Sequence, residues 1–308
     1  MLIRSYISIL FLIFIICGCT TVSKKTINLS NKKIEVVAPS SSHNIEFIER
    51  YNVKFDGIYD SELDKAGQLK NALLNPYNNI VWALRGGYGS ANIVELLYED
   101  EEFINILKKR QSYPLFIGYC DITALHLFLS QEIGWKTLHA PVFKEVQSNN
   151  RSILALLKII NDNIRTIKFV GLQPLNHAAR NILEISGKLT GGNISIIQTS
   201  IGTKWQIDTK DKILFLEDCH EKPYQILRLL NHFKMTNLFD YARAIIIGNL
   251  CDTSHYMEKI VIDFAKKLDL PIYSLNLFGH GIYNYPMIYN SKAVIGLNNG
   301  IITLTETF

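Results

Sequence analysis

The sequence predicts an α/β protein with two domains, an N-terminal α/β domain with a mostly parallel sheet and a C-terminal α/β domain rich in strands. Two observations lead to this prediction. Short continuous apolar runs alternate with segments of helical periodicity in the first half of the chain, which is typical of parallel strands joined by helices. The 308 residues are also enough for two separate hydrophobic cores.

The N-terminal domain is expected over residues 31–164. Its apolar runs predict three buried strands, at 34–39, 80–84 and 115–117. Segments of helical character lie between and after these runs. They are 45–51, 61–74, 91–97 and 103–109.

The C-terminal domain is expected over residues 183–308, after a linker at 165–182 that contains Pro174 and lacks strong periodicity. Its strands are predicted at 183–189, 213–217 and 244–248, with a turn at Gly191-Gly192-Asn193 and an amphipathic helix at 223–233. The chain is expected to end in a β-hairpin of residues 293–297 and 300–304, joined by Asn298-Asn299-Gly300.

The composition excludes some classes of protein. Hydrophobic residues make up 48% of the chain and charged residues 19%, as in an ordinary globular protein rather than a disordered one. The formal net charge is +4, without a long basic run or a basic stripe with interleaved aromatic residues. Nucleic acid is therefore not expected as a partner.

The N-terminus is typical of an exported protein. Arg4 precedes an apolar run over 7–16, which is too short to span a bilayer comfortably, and the segment 1–19 reads as a signal peptide. Its end resembles the bacterial lipobox, by which Cys19 would be lipidated and 20–30 would form a tether. A lipoprotein on the exported face of the cell membrane is thus expected. The alternatives are an uncleaved helix, a plain signal peptide or a cytoplasmic protein.

Five cysteines occur, of which Cys17 and Cys19 lie in the signal segment. The other three are Cys120, Cys219 and Cys251, so at least one thiol should remain free. Whether Cys219 and Cys251 pair is left open. Since no CxxC spacing or histidine cluster is present, neither a metal nor another cofactor is expected.

The segment around Cys120 is the most informative part of the sequence. An apolar strand ends at Ile117, Gly118 permits a tight turn, and helix-forming residues begin just after the cysteine. Such a strand–turn–helix elbow points one side chain at solvent, where the helix N-terminus favours a thiolate. The backbone amide of Asp121 would then face a developing oxyanion. The alternative is that Cys120 is a small buried hydrophobic residue.

Three further features could complete a site at the same edge of the sheet. The loop 85–90 is rich in glycine, so Gly87 could supply a second oxyanion amide, unless this loop is a simple tight turn. His280 lies between two glycines, which suits a general base. Glu217 ends an apolar strand, where it could orient that histidine. The alternative is that His280 and Glu217 are structural residues that do not meet.

The sequence resembles the LD-carboxypeptidases, serine peptidases that trim peptidoglycan, with the microcin-immunity peptidases as close relatives. Several motifs carry the resemblance in order over most of the chain. They are Ala83-Leu84-Arg85-Gly86-Gly87-Tyr88-Gly89-Ser90, Phe116-Ile117-Gly118-Tyr119-Cys120-Asp121-Ile122-Thr123-Ala124-Leu125-His126, His139-Ala140-Pro141, Gly191-Gly192-Asn193-Ile194-Ser195, Leu214-Phe215-Leu216-Glu217-Asp218, Glu221-Lys222-Pro223-Tyr224 and Phe278-Gly279-His280-Gly281.

The resemblance implies a catalytic triad of Cys120, His280 and Glu217. It also implies an oxyanion hole formed by the amides of Gly87 and Asp121. Two positions depart from the family pattern: the family has serine where this chain has Cys120, and usually glycine where it has Ala140. Cysteine beside histidine is a sound nucleophile, but a site shaped for serine need not turn over with it.

The expected reaction is removal of the terminal D-alanine from a murein tetrapeptide. Arg85 is a candidate for binding the terminal carboxylate of the substrate, and the alternative is an arginine that braces the turn. Two other functions are kept open. One is a catalytically weakened lipoprotein that binds murein peptides, and the other is a microcin-immunity-like peptidase that cleaves an aminoacyl-nucleotide toxin. The oligomeric state, including a homodimer, is also left open.

Overall fold

The computed structural model describes residues 32–41, 45–148, 150–180, 182–298 and 301–308. The predicted signal peptide 1–19, the tether 20–30 and the lipidation site Cys19 lie outside the described residues. So do Asn299 and Gly300 of the predicted hairpin turn. Among the described helices, none combines the length and the hydropathy that a membrane crossing requires.

The secondary structure alternates in the first half of the chain and is richer in strands in the second. The strands are β1 (Ile34–Val37), β2 (Lys54–Phe55), β3 (Ile80–Ala83), β4 (Leu115–Gly118), β5 (Leu138–His139), β6 (Thr166–Val170), β7 (Gln173–Pro174), β8 (Glu184–Asn193), β9 (Lys212–Glu217), β10 (Ala244–Asn249), β11 (Ile272–Gly279), β12 (Met287–Ile288), β13 (Lys292–Asn298) and β14 (Ile301–Thr307). The helices are α1 (Glu62–Leu74), α2 (Ser90–Tyr98), α3 (Glu101–Lys109), α4 (Thr123–Leu127), α5 (Arg151–Asn161), α6 (Ile194–Ser200), α7 (Pro223–Met235) and α8 (His255–Ala265).

Helix α1 illustrates how the sequence specifies these elements. The Ser61 hydroxyl accepts a hydrogen bond from the Asp64 amide at 3.1 Å and so caps the helix N-terminus. Leu69 and Leu73, one turn apart, are fully buried against the sheet. The helical spacing of the apolar residues at 61–74 therefore predicted the observed element within one residue.

The first sheet has the strand order β12-β5-β4-β3-β1-β2. Strands β1 to β5 run parallel, and β12 joins the edge antiparallel to β5. The second sheet has the order β6-β14-β13-β8-β9-β10-β11-β7, with a parallel centre from β8 to β11. This arrangement of two sheets with helices confirms the predicted α/β class.

Two local predictions were wrong. The range 165–182, predicted as a linker, contains β6 and β7, which pair with β14 and β11 at opposite edges of the second sheet. Edge strands this short depend on backbone pairing, so their sequence shows little hydrophobic pattern. The predicted turn at Gly191-Gly192-Asn193 is instead the end of the continuous strand β8. A Cβ at Gly191 would lie 1.8 Å from the carbonyl oxygen of Phe215, so the glycine permits close strand approach rather than a turn.

The second half of the chain also contributes directly to the first sheet. Strand β12 pairs with β5, and the amide of Tyr289 donates to the carbonyl of Thr137 at 2.9 Å. Phe128 from the first half and Phe215 from the second belong to one buried apolar cluster. The carboxyl ends of β4, β9 and β11, which carry the predicted site residues, therefore belong to sheets that pack on a common core.

Candidate active site

Cys120 occupies a tight turn directly after β4. Tyr119 is extended, and Cys120 has a φ of 66°, a left-handed conformation that is uncommon for a residue with a side chain. The turn leads into α4, and the thiol is partly exposed. Among the described cysteines it is the one that is not in a disulfide. This is the predicted strand–turn–helix elbow, and Cys120 is not a buried hydrophobic residue.

The glycine-rich loop 85–90 lies against this cysteine. A Cβ added at Gly86 would stand 2.8 Å from Cys120 Cβ and 3.3 Å from its Sγ. Only glycine therefore lets the loop backbone approach the thiol so closely. Gly87 is exposed and has a φ of 123°, next to Ser41. Arg85 lies half-buried at the start of this loop.

The side chain of Asp121 connects the elbow to the loop. One of its carboxylate oxygens accepts hydrogen bonds from the Ser40 hydroxyl at 2.7 Å and from the Ser90 amide at 2.9 Å. Ser90 is the first residue of α2, so the carboxylate also satisfies an amide at the N-terminus of that helix. Sequence reasoning considered only the backbone amide of Asp121, since nothing local indicates that its side chain reaches a helix 31 residues away.

His280 and Glu217 meet at the carboxyl ends of the second sheet. Nδ1 of His280 lies 2.6 Å from Oε2 of Glu217, which is fully buried at the end of β9. Cys120 also interacts with this ring, and the interaction raises the pKa of His280. The structure thus brings together the three residues that the sequence singled out.

The protonation of His280 follows from these neighbours. Burial alone would lower its pKa, but the negative charge of Glu217 and the hydrogen bonds to Cys120 and Glu217 outweigh burial and raise the pKa to about 11. The ring is therefore an imidazolium at neutral pH. An imidazolium beside a thiol is the arrangement that stabilises a thiolate nucleophile.

Two buried histidines lie behind the pair. Nε2 of His139 is 4.0 Å from Oε1 of Glu217, and neither atom has a hydrogen-bond partner among the described residues. Burial, together with the charges of His126 and His280, lowers the pKa of His139 well below its usual value. Burial likewise lowers the pKa of His126 to about 3. Since both of these rings are neutral, His280 is the charged imidazole that the Glu217 carboxylate stabilises.

Tyr119 and Glu145 form one wall of the site. The Tyr119 hydroxyl donates to a Glu145 carboxylate oxygen at 2.8 Å, and the Tyr119 ring lies 4.7 Å from that of His280. Burial raises the pKa of Glu145, although its hydrogen bond with Tyr119 acts in the opposite direction. Sequence analysis missed this pair because Glu145 belongs to a short 3-10 segment without a recognisable pattern.

A disulfide and an acidic residue fix the backbone near Glu217. Cys219 and Cys251 form a disulfide, and Sγ of Cys251 lies 3.4 Å from the carbonyl oxygen of His280. Asp218 accepts hydrogen bonds from Asn193 and from the amide and hydroxyl of Ser195. Within the described residues, no cluster of three or more potential metal ligands occurs.

The family comparisons agree with these features. Residues 15–140 match the model of the LD-carboxypeptidase N-terminal domain, and 186–295 match that of the LD-carboxypeptidase C-terminal domain. A Rickettsia prowazekii protein whose name provisionally calls it a carboxypeptidase is 34% identical over 305 residues, which is 94% of each chain. The murein tetrapeptide carboxypeptidase of Pseudomonas aeruginosa is 26% identical over 247 residues, covering 74% of this chain and 75% of the relative.

Solved structures show the same fold. The muramoyltetrapeptide carboxypeptidase of Oxalobacter formigenes superposes with a TM-score of 0.73 at 21% identity, over 90% of this chain and 99% of the other. The microcin C7 self-immunity protein MccF, solved with aspartyl sulfamoyl adenosine, gives a TM-score of 0.70 at 16% identity, over 90% and 96%. With both domain models matched in order and a relative aligned along nearly the whole chain, the protein belongs to the LD-carboxypeptidase family.

Proposed function

We propose that the protein is a cysteine-dependent LD-carboxypeptidase that releases the terminal D-alanine from murein tetrapeptides. The observation that carries the proposal is the chain of contacts from Glu217 through His280 to Cys120, with the imidazole held protonated. Family membership, together with the substrate in the name of the Pseudomonas aeruginosa relative, supports the substrate class.

The proposed reaction has two halves. The Cys120 thiolate attacks the carbonyl carbon of the scissile bond, and the amides of Gly87 and Asp121 stabilise the oxyanion. His280 gives its proton to the departing amine as the C–N bond breaks, which leaves a thioester. His280, now neutral, takes a proton from water, whose oxygen attacks the thioester. The C–S bond then breaks, and the thiolate and imidazolium are restored.

Arg85 is proposed to bind the terminal carboxylate of the substrate. It lies half-buried in the loop that approaches Cys120, and a guanidinium forms paired hydrogen bonds with a carboxylate. An Arg85→Lys variant should therefore raise KM more than it lowers kcat, because the charge remains while the paired geometry is lost.

The direct test is incubation of the purified protein with murein tetrapeptide and measurement of released D-alanine. We expect product from the wild type, none from Cys120→Ala and less from Cys120→Ser. Product from Cys120→Ser with none from the wild type would contradict the active cysteine and favour a weakened enzyme that binds murein peptides. Parallel incubation with aspartyl sulfamoyl adenosine tests the microcin-immunity-like function. Cleavage of that compound, without release of D-alanine from the tetrapeptide, would favour it.

We also propose that the protein is exported and anchored by a lipid on Cys19. The disulfide between Cys219 and Cys251 supports an oxidising compartment, since such bonds are rare in the reducing cytosol. Mass spectrometry of the protein from its native membrane should find a processed N-terminus with a lipid on Cys19. An intact N-terminus at Met1 would contradict this.

A further inference from the structure

A second cleft lies away from the catalytic residues. Its volume is about 950 Å³, and it is lined by Ile80 and Leu115, the first residues of β3 and β4. The catalytic groups lie at or just after the carboxyl ends of their strands. The cleft lies at the amino ends of β3 and β4, so the cleft and the site lie at opposite ends of the strands. The proposed function makes no use of this cleft.

The side chains that line the cleft are strongly biased in charge. Four are basic, namely Lys32, Arg110, Lys136 and Arg165, and none of the lining residues is Asp or Glu. Lys32, Lys136 and Arg165 make no salt bridge with another described residue. Asp162, which lies close in sequence to Arg165, is already paired with Lys158.

One of these cations is fixed in place. The Arg110 guanidinium donates hydrogen bonds to the backbone carbonyls of Leu73 and Ser112. These bonds immobilise the side chain without neutralising its charge, since carbonyl oxygens carry no formal charge. Arg110 is therefore ordered before any ligand arrives, which reduces the entropy lost on binding.

The positive charge continues beyond the lining residues. Burial, together with the charges of Lys188 and Arg165, lowers the pKa of Lys136. On the adjacent strands β8 and β13, Lys188 lies directly opposite Lys292. Like charges that face each other across strands destabilise a sheet. A cluster of cations that is unfavourable for folding becomes favourable when an anion neutralises it.

We propose that this cleft binds a phosphate-bearing anion. Lys136 and Arg165, which interact with each other electrostatically, supply charge together with the fixed guanidinium of Arg110. Ser112 and Asn163 add neutral hydrogen-bonding groups to the lining, as phosphate oxygens require. The phosphate can come from a soluble phosphorylated compound or from the headgroup of an anionic phospholipid, which share this chemistry.

The test compares two variants that remove the same charges at different places. Lys136→Gln combined with Arg165→Gln removes one lysine and one arginine from the cleft. Lys267→Gln combined with Arg228→Gln removes the same pair from exposed positions on the C-terminal half that do not line the cleft. Inorganic pyrophosphate is titrated into each protein by calorimetry at low ionic strength.

We expect saturable one-site binding to the wild type and to the control variant, and affinity weaker by roughly tenfold or more in the cleft variant. Equal loss in both variants, or no saturable binding to the wild type, would overturn the proposal. Release of D-alanine should be the same in the cleft variant as in the wild type, and the unfolding temperature should not be lower, because the removed charges repel each other in the folded protein. Those controls separate this proposal from the proposed activity, whose failure would leave the calorimetry unaffected.

A second measurement distinguishes the two sources of phosphate. Each protein is sedimented with vesicles of phosphatidylcholine alone and with vesicles that also contain phosphatidylglycerol. Binding that requires phosphatidylglycerol and is lost only in the cleft variant identifies the lipid headgroup. Pyrophosphate binding without vesicle binding identifies a soluble phosphorylated compound. Vesicle binding that both variants retain in full would contradict a lipid site in this cleft.

Discussion

The carboxylate of Glu217 faces two imidazole rings of opposite protonation. Its Oε2 lies 2.6 Å from the charged ring of His280, while Oε1 lies 4.0 Å from the neutral ring of His139. Both partners of the second contact are fully buried. At the residue scale, the site therefore depends on one carboxylate that holds one ring protonated while burial keeps the other neutral.

Replacing Glu217 with glutamine tests this dependence. The substitution keeps the shape but removes the charge, so the pKa of His280 should fall from about 11 toward its usual value of 6.5. Release of D-alanine should decrease on the order of a thousandfold, because the ring loses both its proton and its fixed orientation. Measurements are a histidine titration by NMR and steady-state kinetics. As a comparison, Glu145→Gln should lower the pKa of His280 much less than Glu217→Gln does, because the Glu145 carboxylate bonds the Tyr119 hydroxyl while Glu217 bonds the ring itself.

At the scale of elements, the site is built from loops that are tied to one another by buried polar contacts. Asp121 joins the elbow to the N-terminus of α2 and to Ser40. The backbone amide of Asn193, at the end of β8, donates a hydrogen bond to the Thr123 hydroxyl of α4 at 3.0 Å. The elbow that carries Cys120, the proposed nucleophile, is therefore held by residues from both halves of the chain.

Substitution of Asp121 should loosen this connection. Asp121→Ala leaves the Ser90 amide without its acceptor and leaves the buried Ser40 hydroxyl only its longer bond to the Tyr88 carbonyl at 3.3 Å. The free energy of unfolding should therefore fall by roughly 1–3 kcal/mol. The rate of D-alanine release should fall as well, since the proposed oxyanion amides of Gly87 and Asp121 lie on the two segments that Asp121 connects. Chemical denaturation and kinetics measure both effects. Asp121→Asn keeps an acceptor and should recover part of each; equal losses in the two variants would contradict this role.

The disulfide acts at the same scale, between the ends of β9 and β10. Cys219 follows Glu217 by two residues, and Cys251 contacts the carbonyl of His280, so the bond braces both Glu217 and His280. It closes a span of 32 residues, for which the loop-entropy relation gives roughly 3–4 kcal/mol of stabilisation.

Replacing both Cys219 and Cys251 with serine should therefore lower the free energy of unfolding by a few kcal/mol. We also expect a lower kcat at nearly unchanged KM, because the pair shifts while substrate contacts remain. Dithiothreitol should reproduce both effects in the wild type and have no effect on the double variant. If dithiothreitol lowered the activity of the double variant equally, the disulfide would not be the cause.

At the scale of the whole molecule, sequence patterns predicted the central elements better than the connections between them. The apolar runs at 80–84 and 213–217 correspond to central strands, because burial on both faces leaves a continuous hydrophobic signal. The edge strands β6 and β12 carry no such signal, since pairing at an edge depends mostly on backbone hydrogen bonds. The crossing of β12 into the first sheet was for that reason not predicted.

The candidate site likewise contains residues that local patterns identify and residues that they do not. Cys120, His280 and Glu217 stand in short motifs with glycines or strand ends, and they could be identified along the chain. The contributions of Tyr119, Glu145 and the Asp121 side chain depend on contacts between distant segments. Those contacts follow from packing, which local patterns do not encode.

The last feature at this scale is a buried carboxyl group between the two sheets. Glu306 lies on β14 of the second sheet, and one of its carboxyl oxygens accepts a hydrogen bond from the Ile288 amide of β12 at 2.8 Å. The other oxygen has no hydrogen-bond partner among the described residues. Burial raises the pKa of Glu306 from 4.5 to about 8, although the hydrogen bond from Ile288 acts in the opposite direction.

This pKa determines the sign of a pH effect on stability. Between pH 4.5 and pH 8 the folded protein binds the Glu306 proton more tightly than the unfolded chain does. Raising the pH through this window therefore lowers the free energy of unfolding, by at most about 1.4 kcal/mol per pH unit from this group. Glu306→Gln mimics the protonated form, so the variant should lack this loss and be more stable than the wild type at pH 8. Denaturation at several pH values measures the difference, and parallel curves for the two proteins would show that Glu306 does not titrate in this window.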